Sequence, residues 1–139
     1  MKIIFGKAGT GKANELLKMF IDDKKEAIFV SSEGTPEEIK NKIVLLQGGE
    51  IDFEKMKNKT ITTNRYLECN SDYYLLVRDN LCPSLYLDIK VPKDFTMRFK
   101  NYCMDLEKDY GANIIITEQL PDNSIIKGID ILNIKNVIE

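Results

Sequence analysis

The chain of 139 residues contains no histidine and no tryptophan, and it has three arginines and four prolines. Without imidazole, neither histidine acid–base chemistry nor histidine metal ligation is available, so carboxylates and lysines must carry any chemistry. Cysteine is scarce as well. Cys69, Cys82 and Cys103 are far apart, form no CxxC pair and are odd in number, which argues against a disulfide framework or a zinc site and for reduced thiols. No apolar run approaches the roughly 18 residues of a membrane helix, and no signal pattern precedes the first strand, so a cytoplasmic protein without membrane contact is expected. A net charge of −2 disfavours a broadly basic nucleic-acid surface.

The composition, 43% hydrophobic and 30% charged, suits one domain over residues 1–139 with a real core. Within it, Gly6-Lys7-Ala8-Gly9-Thr10-Gly11-Lys12-Ala13 follows the apolar run Ile3-Ile4-Phe5 and leads into a helical pattern. Glycines at this spacing let successive backbone N–H groups turn inward around phosphate oxygens, and Lys12 neutralises charge toward the terminal phosphates. The start of the next helix adds its partial positive charge. Ala13, Leu16, Leu17 and Phe20 recur at i, i+3, i+4 and i+7, so strand, glycine loop and helix occur in the order a phosphate-binding loop requires. The last position departs from the pattern. Ala13 stands where a Ser or Thr hydroxyl normally ligates Mg²⁺, which predicts an impaired metal site and weak or absent hydrolysis.

The rest of the chain reads as alternating elements: a strand Lys2 to Phe5, a helix to about Ile21, and a strand Ala27 to Val30. The next helix has Thr35 as N-cap, Pro36 in its first position and Glu38 completing a capping box. Ile39, Ile43 and Leu46 share one face, and Gly48-Gly49 stops it. Glu50 to Ser71 is ambiguous, with room for a short helix or strand. Tyr73 to Val77 is a continuous apolar run expected as the third strand. A helix follows over Phe95 to Tyr110 with Gly111 as its C-terminal cap, then strands at Ile114 to Thr117 and Ile129 to Ile134. This alternation predicts an α/β fold, a mainly parallel five-stranded sheet covered on both faces, with the ligand at the carboxyl ends of the strands.

Residues just beyond those ends are the candidate site. Glu33 could orient or deprotonate an attacking water, and Asp79 would hold Mg²⁺ after the third strand. Asp88, closing the shorter run Leu85-Tyr86-Leu87, competes with Asp79 for that role, and Asp79 is preferred. Glu118 and Gln119 follow the fourth strand, where Gln119 could sense the terminal phosphate or place water.

Taken together, these segments resemble the RecA-like P-loop ATPases and, within them, the core of DnaB-type replicative helicases. GKAGTGKA resembles Walker A, AIFVSSEGTPEEI the segment with the catalytic glutamate, YYLLVRDNL the Walker B strand and NIIITEQL the strand ending in the sensor glutamine. The resemblance implies a three-layer P-loop NTPase fold that binds ATP with Mg²⁺. It also implies phosphate contacts from Gly6, Gly9, Thr10, Gly11, Lys12 and Ala13, catalytic roles for Glu33 and Gln119, and metal support from Asp79. Arg78 departs from the family, whose third strand is usually apolar there. The chain is short for a helicase core and resembles a minimised domain acting in DNA replication or transfer through contact with itself or a larger ATPase. Direct DNA contact stays open. Tyr66, Tyr86 or Tyr110 could stack on bases, but tyrosines at such spacing more often pack in cores. A degenerate P-loop scaffold serving as a non-catalytic interaction module is the alternative.

Overall fold

The computed structural model describes residues 1–32, 34–63 and 83–133. The expected third strand at Tyr73 to Val77, together with Glu33, Tyr66 and Asp79, therefore lies outside the described residues. The elements in chain order are β1 (Lys2–Gly6), α1 (Lys12–Asp22), β2 (Ala27–Ser31), α2 (Pro36–Leu46), the single turn α3 (Phe53–Met56), β3 (Lys59–Thr63) and β4 (Ser84–Asp88). A 3-10 turn (Lys93–Phe95) then leads into α4 (Thr96–Tyr110), followed by β5 (Asn113–Gln119) and β6 (Asp130–Asn133).

The strands form one sheet in the order β3-β2-β4-β5-β1-β6. All pairings are parallel except that of β6, which runs antiparallel to β1 with Lys2 opposite Asn133. The described residues thus hold six strands where five were expected. The ambiguous stretch supplies both a turn of helix and an edge strand. The central place between β2 and β5 is taken by Ser84–Asp88, which contains the shorter run Leu85-Tyr86-Leu87.

β4 earns that place through two-sided burial. Leu85 and Leu87 point into a core shared with Ile3, Ile114 and Ile116 of the sheet and Phe99, Cys103 and Leu106 of α4. Tyr86 points the other way, into a core with Ile4, Phe29 and Ile115 and with Leu16, Leu17 and Phe20 of α1. Helices cover both faces, so the inner strands need no polar alternation. The Phe20 ring lies 5.5 Å from both Phe29 and Tyr86, tilted against one and edge-on to the other.

Local chemistry sets the ends of the helices. The Thr35 hydroxyl accepts the Glu38 N–H at 3.2 Å to open α2. Gly111 closes α4 at φ 70°, donating its N–H to Glu107 O at 2.9 Å. The apolar face of α4 stops short of its end, leaving Tyr110 64% exposed, whereas Tyr86 is buried as expected. Burial first, then the nearby Glu107 carboxylate, pushes the Cys103 thiol up to about 12, so it packs as a small apolar group. No helix among the described residues is long and apolar enough to cross a membrane.

Away from the strands' carboxyl ends, the Tyr86 hydroxyl donates to Asp23 Oδ2 at 2.7 Å and also lies 3.2 Å from Met19 O. Burial works to raise the Asp23 pKa. Hydrogen bonds from Tyr86, the Lys25 N–H and Ser84, with the charge of Lys59, outweigh it and hold the carboxyl below its ordinary value. A carboxyl depressed on folding contributes stability above its unfolded pKa of about 3.9 and loses it as pH falls through the lower folded value. Asp23→Asn should therefore be less stable than the wild type at neutral pH, with the gap closing below about pH 4 in urea titrations. Leu85→Ala should cost about 2–5 kcal/mol, as expected for a leucine with no accessible surface. A loss under about 1 kcal/mol in the same assay would be inconsistent with β4 at the centre of the sheet.

Candidate functional site

Between β1 and α1 the backbone makes a turn that only glycine accommodates. Gly9 and Gly11 adopt φ values of 77° and 87°, in the left-handed region where a Cβ is strained. At Gly6 the constraint is space, since an added Cβ would run into Thr10 Oγ1 and sit 3.2 Å from Lys12 Cγ. Gly11 serves as N-cap of α1 and brings no side-chain oxygen, so the first-turn N–H groups have no side-chain cap. An anion is the natural partner for such groups.

The loop is tied together at one carbonyl. Lys7 O accepts the Thr10 N–H at 3.3 Å, the Thr10 hydroxyl at 2.7 Å and the Lys12 ammonium at 2.9 Å. Lys12 thus arches back over the loop. Burial lowers its pKa, and the negative charge of Asp88 opposes that effect.

Asp88 ends β4 on the same side of the sheet. The Thr117 hydroxyl of β5 donates to Asp88 Oδ1 at 3.2 Å, and the Ser32 N–H donates to the Asp88 carbonyl at 3.1 Å. Ser32, 1% exposed, also accepts the Lys90 N–H on Oγ at 2.9 Å, which stitches the end of β2 to the segment after β4. Gln119 sits opposite Gly6 in the β1–β5 register, and the Leu120 N–H donates to Gly6 O at 2.8 Å. Glu118 pairs with Lys100 of α4 at 2.7 Å, and the Lys100 ammonium lies 5.9 Å from the centre of the Phe5 ring.

These groups line an open cleft of about 870 Å³ across the carboxyl ends of β4 and β5. Of the residues singled out in the sequence, Gly9, Gly11, Lys12, Ala13 and Gln119 line it, as does Asp88. Gly6 lies at the strand end beneath the loop, and the Thr10 hydroxyl is turned back onto Lys7 O. Glu33 and Asp79 lie outside the described residues. Asn14, Thr117 and the seryl stitch at Ser32 were missed as participants. The available signal was their position, two residues past Lys12 or at the carboxyl end of a strand.

A magnesium ion fits this set in one respect. It commonly keeps several waters and takes one or two carboxylates plus phosphate oxygens, so Asp88 could serve without a three-ligand protein cage. No group of three or more metal-ligating side chains occurs among the described residues, and Ala13 contributes no hydroxyl. In the comparisons with known proteins, no family model matches the chain, and no curated protein or solved structure matches it.

The packing at Gly6 makes a testable pair. Gly6→Ala should destabilise the protein by about 1–3 kcal/mol through its collision with Thr10. In Gly6→Ala/Thr10→Ala, measured by thermal unfolding, the loss should fall short of the sum of the single losses, because the clashing hydroxyl is gone.

Proposed function

We propose that this chain is an ATP-binding RecA-like P-loop domain with weak or absent hydrolysis, accessory to DNA replication or transfer through contact with itself or a larger ATPase. The observation that carries nucleotide binding is the glycine loop between β1 and the uncapped start of α1, with Lys12 and Asp88 lining one cleft. The biological setting rests on the sequence resemblance alone.

In this reading the terminal phosphates draw the Lys12 ammonium off Lys7 O and take its charge, while N–H groups of the loop and the first turn of α1 meet the remaining oxygens. Asp88, oriented by Thr117, takes the metal-supporting role assigned in the sequence to Asp79. Magnesium, when bound, would screen the phosphate charge. Gln119, which pairs with Gly6 in the sheet and lines the cleft, would hold a water near the terminal phosphate. Glu33 follows Ser32 in the sequence and keeps the general-base role that the resemblance implies. Ala13 removes one hydroxyl from the metal's surroundings, which is the reason to expect slow turnover.

A second reading, a P-loop scaffold used only for its surfaces, is favoured by Lys12 and Ala13. Lys12 already has an acceptor inside the loop, and Ala13 brings none to a metal.

Titration with a fluorescent ATP analogue separates the two. Wild-type protein should bind it, with Lys12→Ala at least about tenfold weaker. Asp88→Asn should lose the Mg²⁺ dependence while keeping metal-free binding. Ala13→Thr should raise Mg²⁺-dependent phosphate release above the wild type. Absence of binding by the wild-type protein would leave the scaffold reading.

A further inference from the structure

The hydroxyl that Ala13 does not bring to the loop has a counterpart in the cleft. Among the described residues that line it, Ser32, Thr96 and Thr117 carry hydroxyls. Ser32 Oγ is engaged as the acceptor of the Lys90 N–H at 2.9 Å, and the Thr96 hydroxyl donates to Pro92 O at 3.4 Å where α4 begins. Thr117 differs in its partner. Its hydroxyl donates to a carboxylate, Asp88 Oδ1, at 3.2 Å.

The direction of that donation decides what the oxygen can do. A hydroxyl has one proton and two lone pairs, so with its proton committed to a carboxylate it meets any further group as an acceptor. Magnesium is a hard cation that takes oxygen ligands. A carboxylate and a hydroxyl bonded in this sense give it a negative charge and a neutral oxygen that needs no deprotonation. The sheet places the pair. Thr117 is paired with Ile4 in the β1–β5 register, and residues directly opposite one another share a face. Ile4 belongs to the core beneath α1, so Thr117 lies on the α1 face of the sheet. Ala13 stands in the first turn of α1 and lines the same cleft.

We propose that Thr117 supplies the oxygen that Ala13 cannot, holding the nucleotide's magnesium ion or one of its bound waters together with Asp88. The inference rests on the nucleotide-binding reading above and refines it. The hydroxyl has moved from the loop to a neighbouring strand, so the metal keeps its hold while the hydroxyl's place against the phosphates is lost.

The test is a double-mutant cycle read by binding rather than by turnover. Affinity for a non-hydrolysable ATP analogue is measured in Mg²⁺ and in chelator for the wild type, Thr117→Val, Thr117→Ser, Ala13→Thr and Ala13→Thr/Thr117→Val, with folding checked by circular dichroism. Valine has nearly the shape of threonine and suits a strand. The ratio of the two affinities separates the metal from the phosphates. It should fall by about tenfold in Thr117→Val, hold in Thr117→Ser and be restored in the double variant. Ala13→Thr should raise the ratio far more in the valine background than in the wild type, because each hydroxyl makes the other redundant. An equal gain in both backgrounds would overturn the proposal and leave Thr117 as a brace for Asp88, and an unchanged ratio in Thr117→Val would overturn it too. Wild-type binding that is indifferent to Mg²⁺ would end this inference and spare nucleotide binding. Absence of wild-type binding in both conditions would end both.

Discussion

The parallel pairing of β1 with β5 is the constraint on which the candidate site depends. It sets Gly6 opposite Gln119 and, through β5's second pairing with β4, brings Thr117 within reach of Asp88. Three strand ends separated along the chain thus finish on the same side of the sheet, Asp88 level with Thr117 and Gly6 level with Gln119. The pairing is stabilised less by its own hydrogen bonds than by what lies above and below it. Ile3 and Ile116 point to α4, while Ile4 and Ile115 point to α1, so a register slip of one residue would turn each apolar side chain to the opposite core. The geometry at the cleft is therefore held by packing well away from it.

Much of this was legible in the sequence where one local rule dominated. Thr35, Pro36 and Glu38 announced the start of α2, and Gly111 the end of α4, because caps depend on a few neighbouring atoms. The glycine loop was legible for the same reason. The identity of the strand beside β2 was not. Ser84-Leu85-Tyr86-Leu87-Asp88 is short and alternating, and its burial on both faces comes from α1 and α4, which no window of sequence contains. Reading continuous apolarity as the mark of a buried strand pointed to Tyr73 to Val77, which lies outside the described residues. Tyr86 counts as apolar here only because Asp23, 63 positions away in the chain, takes its hydroxyl proton in a hydrogen bond.

The same limit explains the site. Gly9, Gly11 and Lys12 could be named from their spacing, since the loop is contiguous. The Thr117–Asp88 bond and the Ser32 stitch join residues 29 and 58 positions apart from their partners, and their role exists only once the sheet order is known. The last strand was expected at Ile129 to Ile134 and is found at Asp130–Asn133, but its antiparallel direction was equally hidden. Its side chains remain exposed, so no burial pattern marks its direction.

The three bonds converging on the Lys7 carbonyl have a kinetic consequence. If an anion removes Lys12 from that oxygen, the two bonds from Thr10 remain, and Gly9 and Gly11 keep backbone angles already turned for the task. Arrival of a ligand is then a partner exchange at one ammonium, with the loop backbone between β1 and α1 already in place. Little conformational entropy is lost on binding. Association would be governed by encounter and charge, and its rate would fall both with added salt and with solvent viscosity, as for a rigid receptor.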